Sequence, residues 1–174
     1  LFDEDGRGSV SYQWKRVGES DVIGTGNSYT LVQADVGKSI TVTAAGYTDL
    51  QNGVESATTA ATAAVANVND APVGSVIITG TVEEGQTLTA GNSLSDEDGL
   101  GNVQYQWNRA GSAIVGATHA TYTLVQTDVR SVISVTASYT DLQNNNESVT
   151  SSATGNVNGL PTGSVTISGT AIED

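Results

Sequence analysis

The chain has no cysteine and no methionine, and only two prolines, one phenylalanine and one histidine in 174 residues. Without cysteine neither a disulfide framework nor a zinc–thiolate site can form, so the fold must be held by its core and by any hard metal it binds. With one histidine, His119, there is no Ser-His-Asp set, and that histidine sits in a turn the first half of the chain does not have. It reads as a solvated loop residue, and no enzyme is expected. Basic residues are also scarce, six against nineteen acidic ones for a net charge of −13. That balance repels nucleic acid and anionic membrane surfaces and makes cations the natural partners. The longest apolar runs are far too short to cross a bilayer, so no direct membrane insertion is expected. No basic-then-apolar signal segment opens the chain, and Leu1 reads as a cut inside a longer protein.

What is present is a repeat. Ser95 to Trp107 is an acidic turn, Asp96-Glu97-Asp98-Gly99, running into a strand in which Val103, Tyr105 and Trp107 alternate. The same unit stands 93 positions earlier, as Asp3-Glu4-Asp5-Gly6 leading to Val10, Tyr12 and Trp14. Tyr-Thr-Leu-Val-Gln recurs at 29–33 and 122–126, and Tyr-Thr-Asp-Leu-Gln-Asn at 47–52 and 139–144. Asn69-Asp70-Ala71-Pro72 marks a junction, because proline cannot donate to a ladder and Asn/Asp clusters favour turns. The expected organisation is a repeat lacking its first two strands over 1–69, a complete repeat over 70–158, and the first strand of a third over 159–174. In that third copy Gly163-Ser164-Val165 matches Gly74-Ser75-Val76.

The repeat reads as all-β. Gly, Ser, Thr, Asn and Val dominate, turn signals fall every few residues, and seven short strands per repeat with a tryptophan on the third fit tandem immunoglobulin-like antiparallel sandwiches. Trp14 and Trp107 are expected core anchors. In the first repeat, strands are expected at Val10–Arg16, Val22–Ile23, Tyr29–Val32, from Ile40 onward, and from Glu55 to about Val65, with a bulge at Ala45-Gly46 before Tyr47.

Threading seven strands through a sandwich puts alternate loops at opposite poles. Asp96, Glu97, Asp98 and the loop Asp141–Glu147 fall at the incoming pole, where the linker residues Asn69 and Asp70 also arrive. Glu83, Glu84 and the loop holding Asp128 fall at the outgoing pole. Carboxylates and amide carbonyls gathered at a junction, with no nitrogen or sulfur competitor, suit a hard cation taking six to eight oxygens, which points to calcium before magnesium. A single Asp would read as a solvated turn. An EF-hand is excluded, because its twelfth position would hold glutamate where Trp107 stands.

Asn-Asp-Ala-Pro, Asp-Glu-Asp-Gly, Tyr-Gln-Trp, Tyr-Thr-Leu-Val-Gln, Asp35-Val36-Gly37 and Tyr-Thr-Asp with a following Glu-Ser together resemble the immunoglobulin-like extender repeats of large bacterial RTX adhesins, which are exported by type I secretion. The resemblance spans the chain. It implies a calcium-stiffened spacer on the bacterial cell surface that holds distal binding domains outward for adhesion or biofilm formation. It also implies metal ligands at Asp3, Asp5, Asp49, Asp70, Asp96, Asp98 and Asp141, with Glu83 and Glu84 at the outgoing side. Two departures stand out: the second linker reads Asn158-Gly159-Leu160-Pro161, without the carboxylate, and Arg130 replaces the glycine of Asp35-Val36-Gly37.

The alternative is a ligand-binding immunoglobulin-like module recognising a glycan or a protein, against which no aromatic cluster stands outside the core pattern. Partners otherwise expected are calcium ions and neighbouring repeats of the same protein. A head-to-tail strand exchange through residues 161–174 is a further expectation, because Val165 and Ile167 match Val76 and Ile78 and need an apolar face.

Overall fold

The computed structural model describes residues 10–48, 54–161, 163 and 165–169, and of Tyr47 and Thr48 only the backbone. The described residues contain no α-helix, only strands and two single 3-10 turns. The chain divides into two compact units, Leu1–Asn69 and Asp70–Asp174.

The second unit has seven strands: β5 (Val76–Thr79), β6 (Thr87–Asn92), β7 (Gln104–Arg109), β8 (Ser112–Ala113), β9 (Thr121–Thr123), β10 (Ile133–Thr140) and β11 (Asn146–Thr150), numbered after the four of the first unit. They form two antiparallel sheets, β5-β6-β9 and β11-β10-β7-β8, around one core, which is a sandwich-like arrangement. The period of two explains the core: Ile133, Val135, Ala137 and Tyr139 of β10 are buried in alternation, opposite Leu88 and Ala90 of β6. Trp107 at the centre of β7 has no exposed surface. Its indole Nε1–H donates to the His119 carbonyl at 2.9 Å, so the one polar atom of the ring is satisfied.

In the first unit β1 (Ser11–Arg16), β2 (Gly24–Thr25), β3 (Ile40–Thr48) and β4 (Val54–Thr58) form one sheet in the order β2-β1-β3-β4. The expected bulge is present, as a register shift between Ala44 and Tyr47 with Gly46 at φ +49°. Other expectations are corrected. The short second strand is Gly24–Thr25, not Val22–Ile23. The stretch after Glu55 is strand only to Thr58, and Val65 makes a separate parallel bridge to Val36.

The expected strand at Tyr29–Val32 is not formed. Its counterpart in the second unit, β9, exists by pairing with β6, and no strand of the first unit's described residues stands where β6 does. A strand without a neighbour leaves its ladder groups to water. The same difference governs burial: Leu31 is 52% exposed, whereas Leu124, at the same place in the second repeat, is 1% exposed. Trp14, Tyr29, Leu31, Ile40 and Val65 consequently line an open apolar groove of about 340 Å³.

Candidate functional site

The incoming pole of the second unit is built on the acidic turn. The Asp98 N–H donates to Asp96 Oδ1 at 2.9 Å and the Gly99 N–H to the Asp96 carbonyl at 3.1 Å, so Asp96 folds the turn on itself, with Gly99 at φ +93°. The Asp70 N–H donates to Asp98 Oδ2 at 2.8 Å, which fixes the start of the unit against that turn. Behind it, the Tyr139 hydroxyl donates to Asp96 Oδ2 at 2.5 Å. The loop after β10 joins from the other side, the Leu142 N–H donating to the Gly99 carbonyl at 3.3 Å. Gly101 is required here: a Cβ would lie 1.9 Å from the Thr140 carbonyl oxygen.

Asp70, Asp96, Asp98 and Asp141 are thus brought to one end of the sandwich. Asp98 and Asp141 are buried, and Asp70 and Asp96 are half-buried. Asp141 is engaged locally: Oδ1 accepts the N–H groups of Gln143 and Asn145 at 2.8 Å each, and Oδ2 accepts the Asn145 amide at 3.0 Å. Burial acts to raise its pKa, but these donors outweigh it and hold the carboxyl below the ordinary 3.8. The donor set is oxygen-only and of the chemistry a hard cation needs. Among the described residues, however, no group of three or more acidic or histidine side chains converges on one point as a metal shell. Asn69 closes the first unit and is exposed. Asp3, Asp5 and Asp49, the acids expected in the first repeat, lie outside the described residues.

Tyr139 gives this pole an alkaline signature. Burial, then the hydrogen bond to Asp96 and the negative charges of Asp96, Glu147 and Asp141, push its hydroxyl well above the ordinary 10.0. A raised folded-state pKa contributes stability below the unfolded value that is lost as pH rises through the folded one. Unfolding followed by circular dichroism is therefore expected to become easier from about pH 10 upward, and Tyr139→Phe should reduce that slope. An unchanged slope in the variant would show that the hydroxyl is not held by this cluster.

At the outgoing pole Glu83 and Glu84 stand beside the linker that leaves the unit. Glu83 bridges Asn158 in parallel, and the Glu84 N–H donates to the Asn158 carbonyl at 2.8 Å. The Glu84 carboxylate receives the Leu160 N–H at 3.3 Å and, with the Gln126 amide turned to donate, that amide at 2.9 and 3.0 Å. These two acids are separated from the incoming group by the length of β10, so the expected ligands form two sets. Glu84 holds the linker through hydrogen bonds of its own.

Asp128, placed by the sequence among the acids of this loop, is wholly buried, as is Asp35 in the first unit. Asp128 Oδ1 accepts Arg109 Nε–H at 2.6 Å, and Oδ2 accepts the Tyr122 hydroxyl at 2.9 Å and the Val125 N–H at 2.8 Å. Asp35 repeats the set with Arg16 Nε–H at 2.8 Å, the Tyr29 hydroxyl at 3.0 Å and the Val32 N–H at 2.8 Å. Each carboxylate closes its 3-10 turn and ties it to the strand bearing the tryptophan. The signal was in the sequence, since Arg, Tyr and Asp all recur in step with Trp. No protein-family model and no curated protein matches the chain.

Proposed function

We propose that the chain is a run of immunoglobulin-like tandem repeats serving as a structural spacer, or extender, of a large bacterial cell-surface adhesin, stiffened at its junctions by calcium and projecting distal binding domains. The observation that carries this reading is the recurrence of one device: the Trp strand and the Arg–Asp–Tyr cluster stand in both units with the same partners at nearly the same distances. A framework that recurs in both units points to a function at the level of the array. The three-plus-four strand order of the second unit supports the immunoglobulin-like reading. Residues 165–168 are in no strand and Val165 and Ile167 are fully exposed, and the reading of residues 161–174 as the opening strand of a further repeat rests on the match of Gly163-Ser164-Val165 to Gly74-Ser75-Val76.

Calcium is supported by the oxygen-only acids gathered at the incoming pole and by the net charge of −13. Titrating calcium into chelated protein is expected to raise the melting temperature and straighten the scattering profile, adding about 2.7 kcal/mol at a hundredfold excess over Kd. Asp96→Ala with Asp98→Ala should weaken that response. Unchanged melting and scattering at millimolar calcium would sink the metal. The alternative, a glycan-binding module, has a polar groove of about 570 Å³ lined by Asn102, Gln104, Ser138 and Asn146, but its one ring, Tyr139, is buried and gives a sugar no face to stack on.

A further inference from the structure

Arg130 occupies a backbone position that side chains avoid. Its φ is +68°, and the first unit has Gly37 there at φ +74°. Both N–H groups make the same bond, Arg130 to the Val157 carbonyl at 2.9 Å and Gly37 to the Val65 carbonyl at 2.8 Å. The backbone is thus held in place, and an arginine has been put where glycine is the easy choice. Its guanidinium has no hydrogen-bond or ion-pair partner among the described residues. Arg16 and Arg109 are both committed to buried aspartates.

Arg130 lines a groove of about 630 Å³ with Gln126, Asn156, Asn158, Gly159 and Leu160. The lining sets the amides of Gln126, Asn156 and Asn158 and one cation over the side chains of Val129, Val157 and Leu160, while Glu83 and Glu84 stand beside it, Glu84 engaged with Leu160 and Gln126. That chemistry fits a carboxylate, which a guanidinium grips through two parallel N–H bonds.

The incoming pole indicates which carboxylate. There the Asp70 N–H donates to Asp98, so the acidic turn of a unit sits on the linker residue that precedes it. The counterpart of Asp70 is Gly159, by the match of Asn69-Asp70-Ala71-Pro72 to Asn158-Gly159-Leu160-Pro161, and residues 163–169 repeat the opening of the second unit. A unit continuing on that pattern would bring its acidic turn to Gly159, inside the groove of Arg130. Gly159 packs closely on Val129, since a Cβ there would lie 3.1 Å from Val129 Cγ1. Two substitutions therefore coincide at one junction: a carboxylate is lost from the linker, and a guanidinium is gained beside it.

We propose that the outgoing pole of the second unit is a carboxylate-binding site in which Arg130 receives an Asp-Glu-Asp-Gly turn of a following repeat, doing with a fixed cation what the other junction is read as doing with calcium. The inference rests on the repeat reading but not on the metal. The probe is a synthetic peptide of the sequence of residues 95–101, titrated into the full chain in chelator while the backbone amide resonances of Val157, Asn158 and Gly159, present in both proteins, are followed together with the Arg130 Nε–Hε resonance of the unaltered chain. A saturable shift at millimolar peptide is expected, at least tenfold weaker in Arg130→Gly, a variant whose backbone the first unit already adopts. A peptide with both aspartates and the glutamate changed to their amides, and its C-terminus amidated, should leave the resonances still. No saturable shift, an equal response in Arg130→Gly, or a shift seen only with calcium would overturn the site. A failed calcium titration beside a positive peptide titration would remove the metal and leave this site standing.

Discussion

Asp128→Ala is expected to destabilise the second unit by about 3 kcal/mol, the lower end of what breaking a buried ion pair costs. The carboxylate is wholly buried, and its removal strips three donors, the Arg109 guanidinium, the Tyr122 hydroxyl and the Val125 N–H, of their acceptor at once. Two features hold the loss to the lower end: the Arg109 side chain is 31% exposed and can turn to water, and its NH2 keeps a bond to Thr127 at 3.1 Å. Asp128→Asn should recover part of the loss, because one amide oxygen still accepts, while its NH₂ faces either the Arg109 Nε–H or the Val125 N–H, neither of which can accept. Urea unfolding followed by tryptophan fluorescence measures both. A change below about 0.5 kcal/mol in the alanine variant, the range of an ordinary surface substitution, would mean that the cluster contributes geometry without stability.

Trp107→Ala should cost the same unit about 3–5 kcal/mol, by lost transfer energy and by the cavity its neighbours cannot close. The ring is unexposed, touches Tyr122 at a centroid distance of 5.8 Å and sits among Leu88, Leu124, Ile133 and Val135. Trp14→Ala, at the same place in the first repeat, should cost less. Trp14 is only half-buried and lines an open groove beside Tyr29, whose ring centroid is 6.0 Å away, so part of its surface is already in water. Calorimetry of the full chain, resolving the unfolding of the two units, should show a large fall of one transition for Trp107→Ala and a smaller fall of the other for Trp14→Ala. Equal falls would mean that the two tryptophans see equal cores.

The acids divide by how many partners each has found. Asp96 folds its own turn, Asp98 holds Asp70, Asp141 closes its own loop, and Asp35 and Asp128 lie under arginine and tyrosine. Five of the nineteen acids are therefore already tied to N–H and O–H donors. A cation at the incoming pole would have to use the remaining lone pairs of carboxylates that already accept hydrogen bonds. The calcium titration thus measures something beyond charge neutralisation: whether these turns can open toward an ion without losing the bonds that shape them.

Local pattern alone carried the alternation of β7 and β10 and the core place of Trp107, though not that of Trp14, which is only half-buried, because alternation of period two and turn residues act through neighbours in the chain. The alternation in β10 and the glycine beside Ala45 could be read as they stand. Three things were decided only in three dimensions. Tyr29–Val32 has the composition of a strand, but a strand needs a ladder partner, and in the first unit's described residues none lies beside it. Asp128 reads as one of the acids of the outgoing pole and Asp35 as part of a short shared motif, and only the fold brings an arginine from the tryptophan strand and a tyrosine from the next segment over each, which allows their burial. Arg130 reads as a stray charge in place of glycine, and only the pairing of its N–H with Val157 sets it in the groove beside Gly159. In each case the deciding partner is distant in sequence, and periodicity within one segment carries no information about it.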